Sequence, residues 1–257
     1  MSEQANHPRR VLVTGSTGAI GQPVCAHLLA RGHHVRGLAR RPTPGLQDYV
    51  VGDLNDRDKV RQAVEGMDTV LHLGAYPNDA DFIDVLMEPN VRGLYHICDA
   101  AREFGVKRLM LASTLQTVTG HGYPEGKTIR IEDGPMPVNH YALTKVWAEV
   151  MGDMYARVHG VSVINARIGW LPRNPGEAKR LVESRIGKDV FFSHRDAQLF
   201  HERCVESPEP GPGQCVTVFA ISNPLGQHRL DLEPARRILG YEPQDVWPHG
   251  LPYELEG

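Results

Sequence analysis

A glycine-rich turn near the N-terminus constrains the fold more than any other feature of the sequence. Residues 11–13 are apolar and predict a short buried strand, and residues 15–21 read Gly-Ser-Thr-Gly-Ala-Ile-Gly. Ile20, Val24 and Leu28 then recur at the four-residue spacing of one helix face. A strand, a glycine turn and a helix in this order leave free backbone N–H groups at a helix N-terminus, where an anion is stabilised.

Each glycine of the turn has a separate predicted role. Gly15 permits the tight turn, Gly18 lets the backbone approach a pyrophosphate, and Gly21 lets the helix pack closely on the strand. The spacing is Gly-x-x-Gly-x-x-Gly rather than the commoner Gly-x-Gly-x-x-Gly. Glycine turns also join strands to helices for structural reasons alone, so the remainder of the chain has to decide between the two interpretations.

Strands and helices alternate along the chain after this turn. The alternation predicts an α/β fold built on a doubly wound, Rossmann-like parallel sheet. Right-handed crossovers place the carboxyl ends of such strands on one edge, so a bound dinucleotide is expected along that edge. The predicted strands after the first cover 34–39, 49–51, 69–73, 108–112, 161–168 and 215–221, and the predicted helices lie around 60–64, 90–104, 141–159 and 231–239.

The later part of the chain carries weaker signals. We expect one domain over residues 1–257, in which residues 170–257 form most of a small substrate-binding region. The segment 113–140 is rich in Gly, Pro and Thr and is predicted to be mostly loop. In the helix over 141–159, one apolar stripe is formed by Leu143, Val146, Val150 and Met154.

Composition excludes several classes of protein. The 28 basic and 31 acidic side chains give a formal net charge of −3, which does not favour nucleic acid binding. Residues 1–10 are polar and do not predict a signal peptide, and no apolar run is long enough to predict a membrane span. The four cysteines form no C-x-x-C pair, which indicates a reducing cytoplasm. We predict no metal site, although His194, His201 and Cys204 could share one helix face.

Tyr141 and Lys145 are candidates for proton transfer. They stand four residues apart at the start of a predicted helix, so their side chains share one face. An ammonium group beside a phenol favours the phenolate, so we expect Lys145 to lower the pKa of Tyr141 toward neutrality. Such a pair can also occur by chance, so it indicates an active site only together with other motifs.

A pair of hydroxyl groups provides one such element. The strand over 108–112 runs directly into Ser113 and Thr114, which places both hydroxyls at the carboxyl edge beside the expected cofactor. A hydroxyl in this position can hydrogen-bond a substrate carbonyl and hold it against a tyrosine. It can also satisfy loop backbone instead. The glycine turn, the hydroxyls and Tyr-x-x-x-Lys nevertheless occur in the order and on the elements that one active site requires.

With these motifs the chain resembles the short-chain dehydrogenase/reductase superfamily, in its extended, epimerase/dehydratase-like branch. The resemblance covers nearly the whole chain and implies a single NAD(P)-binding domain. It also implies an NAD(P)-dependent enzyme that acts on a small-molecule substrate. The matching segments are Thr14–Gly21, Gly52–Leu54, Leu71–Ala75, Asn90–Gly93, Tyr141–Lys145 and Leu239–Pro243.

The resemblance also implies roles for individual residues. Tyr141 is the expected acid/base, and Lys145 is expected to bind the nicotinamide ribose as well. The catalytic hydroxyl is expected at Thr114, with Ser113 as the alternative. The residues expected to bind the cofactor are Gly15, Thr17, Gly18, Ala19, Ile20, Gly21, Arg40, Asp53, Leu54, Leu73, Gly74, Ala75, Asn90, Tyr141, Lys145 and Ile168, of which Asn90 looks mainly structural.

Within this branch the chain looks closest to uronate dehydrogenases, through Ala166–Gly169 and Phe192–His194. Arg167 is a candidate for an acidic substrate, and an ordinary strand-end ion pair is the equal alternative. Uronate dehydrogenases carry Asn-His after the catalytic hydroxyl, where this chain has Leu115-Gln116. The residues expected to contact the substrate are Gln116, Arg167, Phe192 and His194.

The end of the second strand bears on cofactor choice. NAD enzymes of this fold usually place an acidic residue there to accept the ribose hydroxyls, and this chain has Ala39 followed by Arg40 and Arg41. A guanidinium can bind a 2′-phosphate in a bidentate way, which favours NADP, with NAD as the alternative. The alternative is that both arginines are solvated loop charges.

These observations predict an oxidoreductase that transfers a hydride between nicotinamide and a small sugar, sugar acid or related hydroxyl/carbonyl compound. One alternative is a nucleotide-sugar epimerase or dehydratase with tightly bound NAD(P), and a less favoured one is a cofactor sensor without catalysis. The intact Tyr-x-x-x-Lys pair argues against the sensor. A homodimer is compatible with the sequence.

Overall fold

Seven parallel strands form one sheet in the computed structural model, which describes residues 8–254. The polar stretch for which we predict no signal peptide lies, up to residue 7, outside the described residues. The order β3-β2-β1-β4-β5-β6-β7 changes direction at β1, so the predicted doubly wound α/β fold is confirmed. The strands are β1 (Arg10–Thr14), β2 (His34–Ala39), β3 (Tyr49–Val51), β4 (Thr69–His72), β5 (Arg108–Thr114), β6 (Ser162–Ile168) and β7 (Cys215–Ala220).

Helices cover both faces of this sheet and create two cores. One core packs α1, α6 and α7 against the sheet, and the other packs α2, α3 and α4 on the opposite face. Strand β6 is buried at every position, as expected for a parallel strand with helices on both sides. The helices are α1 (Gly21–Ala30), α2 (Arg57–Val64), α3 (Gly93–Glu103), α4 (His140–His159), α5 (Pro175–Glu183), α6 (His194–Glu206) and α7 (Glu233–Leu239).

The helix expected over 90–104 begins earlier than the sequence indicates. A π-helical stretch, Phe82–Arg92, precedes α3 and contains Pro89. Proline lacks the N–H group of a regular helical turn, so a stretch that includes it departs from α-geometry. The side chain of Asn90, from this stretch, hydrogen-bonds the backbone of Tyr76 in the loop after β4.

The segment after β5 is more regular than the predicted loop. Strand β5 extends to Thr114, because Ser113 pairs with Arg167 and Thr114 with Ile168 on β6. A 3₁₀ helix, Leu115–His121, follows directly, and the Thr114 side chain accepts a hydrogen bond from its first turn. Both candidate hydroxyls are therefore held by regular structure.

The apolar stripe of α4 does not face the core. Leu143, Val150 and Met154 are exposed, whereas small residues such as Ala142 and Ala148 pack against the sheet. Small side chains let the helix approach β5 and β6 closely, and Met151 and Tyr155 complete its buried face. Hydrophobic spacing thus located the helix correctly but did not identify its buried face.

The chain beyond residue 170 contributes β7 and α6 to the main body of the fold. Helices α5 and α6 were not among the elements predicted from the sequence. Asp231 was expected to cap α7, but the N-cap position is Leu232, which makes no side-chain cap hydrogen bond. Asp231 lies one residue earlier and accepts a hydrogen bond from the backbone N–H group of Glu233. The role of residues 170–257 as a substrate-binding region stays a prediction.

Candidate active site

A cleft of about 910 Å³ runs along the carboxyl edge of the sheet. It begins at the β1–α1 turn, passes the ends of β2 and β3, and reaches the segments that follow β5 and β6. A dinucleotide bound at the switch in strand order would lie along this line. The predicted residues that line it are Gly15, Thr17, Gly18, Ala19, Ile20, Gly21, Arg40, Asp53, Leu54, Leu73, Gly74, Ala75, Ser113, Thr114, Gln116, Tyr141, Lys145 and Ile168.

The β1–α1 turn leaves no room for side chains at two of its glycines. Gly15 has a positive φ of 66°, and a Cβ there would lie 2.9 Å from the Cα of Gly74. A Cβ on Gly21 would overlap the carbonyl of Gly15. Helix α1 begins without a side-chain cap or an acidic residue in its first turn. Its N–H groups and its positive dipole end therefore suit a pyrophosphate, so the site fits a dinucleotide.

A buried hydrogen-bond chain ties this turn to β4. The Thr14 hydroxyl accepts a hydrogen bond from the Gly74 N–H group at 3.0 Å and lies 2.9 Å from Nδ1 of His72. Burial, together with the charge of Lys145, lowers the pKa of His72 to about 3. His72 is therefore neutral and can accept the Thr14 proton, which fixes the two turns relative to each other. Sequence reasoning missed this pair, because the two residues belong to separate motifs that lie 58 positions apart in the sequence.

The phenol of Tyr141 and the ammonium of Lys145 share one face at the start of α4. Lys145 Nζ donates a hydrogen bond to the Ala112 carbonyl at 2.9 Å and lies 5.7 Å from the centre of the Tyr141 ring. The Asn139 side chain caps α4 by accepting a hydrogen bond from the Ala142 N–H group at 2.7 Å. The amide of Asn139 also donates to the Gln116 side chain, so the helix start is fixed to the segment after β5.

The expected lowering of the Tyr141 pKa does not occur in this structure. Burial raises the pKa of Tyr141 to about 12, although a hydrogen bond with Thr114 opposes the rise. Burial also lowers the pKa of Lys145 to about 8. The expectation was wrong because removal from water destabilises both charged forms, and because the Lys145 ammonium is directed at the Ala112 carbonyl.

The two strand-end hydroxyls have different partners. Ser113 Oγ donates a hydrogen bond to Oε1 of Glu149 at 2.5 Å, away from Tyr141. The Thr114 hydroxyl contacts the Tyr141 hydroxyl and accepts from the Gln116 N–H group. Adjacent strand residues point to opposite sides, so only one of the two can face the phenol directly.

Arg167 does not face the cleft, which corrects its assignment to the substrate. Its guanidinium forms two hydrogen bonds, of 2.9 and 2.8 Å, with the carboxylate of Glu149, and the residue is 2% exposed. The alternative of a strand-end ion pair is therefore correct. Breaking a buried pair of this kind costs about 3–5 kcal/mol, because one charge is left uncompensated.

Three further residues predicted to contact ligands lie elsewhere. Phe192 is fully buried in the core beside α6, and His194 hydrogen-bonds the Pro172 carbonyl, so neither lines the cleft. Asn90 does not line the cleft either, and it holds the loop after β4 and Thr144 on α4. These residues carry apolar or hydrogen-bonding patterns that look the same in a core and in a ligand site.

The segment after β6 supplies cleft residues that sequence reasoning missed. Trp170, Arg173, Glu177 and Arg180 line the cleft at the end opposite the glycine turn, and Tyr123 lines it from the segment after β5. The signal that reveals α5 is the run Asn174-Pro-Gly-Glu177, which has a capping residue, a proline in the first turn and a glutamate three residues on.

Neither a metal centre nor a membrane helix is found in residues 8–254. No group of three or more His, Cys, Asp and Glu side chains in this range is arranged to hold a metal ion. None of the helices in the same range combines the length and the apolar character that a bilayer crossing requires. Cys25, Cys98, Cys204 and Cys215 are all free.

The geometry agrees with comparisons to known proteins. Residues 11–173 match the NAD dependent epimerase/dehydratase family, so the chain belongs to this family, as its motifs predicted. An L-arabinose 1-dehydrogenase (NAD(P)(+)) of Haloferax volcanii is 31% identical, over 92% of this chain and 96% of the relative. A uronate dehydrogenase of Pseudomonas syringae pv. tomato is 32% identical, over 83% of this chain and 74% of the relative.

A solved structure shows the same architecture. It is a mutant uronate dehydrogenase from Agrobacterium tumefaciens complexed with NAD, at 26% sequence identity and a TM-score of 0.77. The match covers 92% of this chain and 85% of that one. The predicted resemblance to uronate dehydrogenase-like members is thereby confirmed.

Proposed function

We propose that this chain is an NAD(P)-dependent dehydrogenase that oxidises or reduces a small sugar, sugar acid or related compound. The observation that carries the proposal is that Tyr141, Lys145 and Thr114 line one cleft, which is continuous with the glycine turn. The relatives support it, because the names of two of them specify a sugar or sugar-acid dehydrogenase.

The proposed chemistry assigns one task to each residue. Nicotinamide, when bound, supplies or accepts the hydride. Thr114 orients the reacting oxygen of the substrate by a hydrogen bond, and Tyr141 gives a proton to that oxygen or takes one from it. Lys145 places a positive charge beside the phenol and stabilises the phenolate, which accepts the substrate proton in oxidation and is left behind when Tyr141 gives its proton in reduction. The Ser113–Glu149–Arg167 network fixes the end of β5 beneath them.

A substrate screen tests this proposal. Purified protein would be incubated with NAD or NADP and with a panel of aldoses, uronates and short-chain hydroxy compounds, and followed at the nicotinamide absorbance. We expect reduced cofactor to accumulate in proportion to substrate. Interconversion of a uridine diphosphate hexose without net release of reduced cofactor would instead favour the epimerase alternative.

NADP is the cofactor that we propose within this class. Arg40 lines the cleft at the end of β2, is exposed, and follows Ala39, so no carboxylate ends this strand to repel a 2′-phosphate. The test compares the Kd of NADPH and NADH for the wild type and for Arg40→Ala. We expect Arg40→Ala to weaken the binding of NADPH by about tenfold and that of NADH by much less. Equal effects on both cofactors would contradict the proposal.

We also propose a homodimer that forms through α4. Leu143, Trp147, Val150, Met154 and Val158 are exposed and form one stripe along this helix. The pairs Leu143/Val158 and Trp147/Met154 share one midpoint between residues 150 and 151, so two antiparallel copies would place the members of each pair against each other. An exposed apolar stripe of this length is typical of an interface.

Light scattering on the purified protein tests the homodimer. We expect the mass of a dimer for the wild type and of a monomer for Val150→Glu. Leu225→Glu is the matched control, because Leu225 is also exposed and lies outside the stripe. A monomeric wild type, or a dimer that survives Val150→Glu, would show that α4 is not the interface.

We place the enzyme in the cytoplasm, because its four cysteines are free.

A further inference from the structure

Two arginines and one glutamate lie at the substrate end of the cleft. Arg173 follows β6, whereas Glu177 and Arg180 belong to the first turns of α5, and all three line the cleft. Dehydrogenases related to this chain are named for arabinose, which is uncharged, and for uronate, which carries a carboxylate. Charged side chains at this end of the cleft are therefore placed where members of the family would distinguish their substrates.

Arg173 and Glu177 form an ion pair that is held by several hydrogen bonds. The backbone N–H group of Arg173 donates to Oε2 of Glu177 at 2.9 Å, and its Nε donates to Oε1 at 2.8 Å and to Oε2 at 3.0 Å. A terminal nitrogen of the same guanidinium also donates to Oε1. Arg180 lies 3.7 Å from that oxygen, so both arginines are directed at one carboxylate.

Glu177 is the fixed member of this group. Its side chain is 8% exposed, against 40% for Arg173 and 67% for Arg180. Burial alone would raise the pKa of Glu177, but hydrogen bonds from Arg173 and the charges of both arginines hold it below its usual range. The Asn174 cap fixes the Glu177 backbone at 3.0 Å. The carboxylate is thus ionised, buried and unable to turn into solvent.

We propose that Glu177 makes the substrate end of the cleft selective for uncharged sugars over sugar acids, which rests on the dehydrogenase function proposed above. A substrate carboxylate entering here meets Arg173 already hydrogen-bonded to Glu177 and, beside it, a like charge. Arg180 adds a second positive charge, but it is 67% exposed and screened by solvent. Displacing Glu177 from Arg173 would leave a buried carboxylate with this one weak partner, at a cost larger than a new surface ion pair returns. Uncharged hydroxyl groups meet no such penalty and can use the amide of Gln116.

Calorimetry with a matched pair of sugars tests the inference without turnover. D-Galactose and D-galacturonate differ only at C6, and binding would be measured with NADPH present so that neither sugar is oxidised. We expect the wild type to bind galactose about tenfold more tightly than galacturonate, or better. In Glu177→Gln the affinity for galacturonate should rise by about tenfold, and that for galactose should change less than about threefold.

Two controls separate this effect from a general change in charge. Glu183→Gln removes an exposed carboxylate from the same helix and should leave both affinities unchanged. The double variant Glu177→Gln/Arg173→Gln should lose the galacturonate gain, because that gain depends on a released Arg173. Thermal melting confirms that each variant is folded, and the wild-type comparison needs no variant.

Three binding results would overturn the inference about Glu177. Galacturonate binding more tightly than galactose to the wild type, or more weakly to Glu177→Gln, would show that Glu177 orients Arg173 as a carboxylate clamp, and would overturn the inference. An unchanged affinity ratio in Glu177→Gln would overturn it as well. Sugars that bind with the expected ratio but are never oxidised would defeat the proposed function and not this inference.

Discussion

Tyr141 and Lys145 are both buried at the start of α4, and this removal from water shifts their pKa values in opposite directions. Burial raises the pKa of the phenol to about 12 and lowers that of the ammonium to about 8. Tyr141→Phe keeps the ring packing but removes the proton, so we expect kcat to fall about a hundredfold or more. The Kd of the cofactor should barely change, because the glycine turn carries most of that binding. Steady-state kinetics and a fluorescence titration would measure the two, and near wild-type turnover would rule out Tyr141 as the acid/base.

The neighbouring hydroxyls provide a second test with an internal control. Thr114→Val removes the hydroxyl that contacts Tyr141, and we expect kcat/KM to fall by about a hundredfold. Ser113→Ala removes a donor to Glu149 instead, so it should lower the melting temperature and leave kcat/KM within about threefold. Kinetics and thermal melting on both variants check this. The reverse pattern would make Ser113 the catalytic hydroxyl.

Sequence spacing located these residues but not their partners. The motif placed Tyr141, Lys145, Ser113 and Thr114 in one cleft, because strand ends and a helix start converge on one sheet edge. It did not assign Arg167, because Glu149, which pairs with it, lies on a different element. A strand-end arginine has the same local sequence whether it faces a substrate or a buried carboxylate.

At the level of elements, helix α5 was not predicted from the sequence, and its N-terminal cap allows a direct test of stability and substrate binding. Asn174 caps α5 by accepting a hydrogen bond from the Glu177 N–H group. Asn174→Ala should cost about 1 kcal/mol of stability and should also loosen Glu177 against Arg173, which changes KM. Asp231→Ala removes a side-chain acceptor for the first N–H group of α7, which lies away from the cleft, and should lower stability without changing KM. Urea unfolding and steady-state kinetics measure both, and equal KM effects would contradict the assignment of α5 to the substrate site.

The element bounds predicted from the sequence were accurate for two strands and one helix. The bounds of β2 and β3 agree with the sequence, and α4 differs by one residue at its start. Periodicity did not identify the buried face of α4, because Ala142 and Ala148 pack there while Trp147 and Val150 are exposed. A helix with apolar residues on both faces has no single stripe from which orientation can be inferred, and its outer stripe motivates the proposed dimer.

At the scale of the whole molecule, two histidines are buried in neutral form on different parts of the fold. His72 lies beneath the glycine turn, and His201 lies in α6 and hydrogen-bonds the Ala197 carbonyl. Burial lowers their pKa values to about 3 and about 4, from an ordinary 6.5. Between pH 6.5 and these folded-state values the unfolded chain binds more protons than the native protein, so stability falls as pH falls.

This linkage predicts acid sensitivity that begins well above the range in which carboxylates titrate. From pH 7.5 to pH 5 each histidine should remove about 2 kcal/mol from the free energy of unfolding, since one pKa unit corresponds to about 1.4 kcal/mol. His201→Gln lacks a group that titrates in this range and should reduce the loss by about 2 kcal/mol. His249→Gln, at an exposed position, should leave it unchanged. Urea unfolding at both pH values measures each variant, and a free energy of unfolding that stays constant down to pH 5 would mean that the buried histidines are protonated in the native protein.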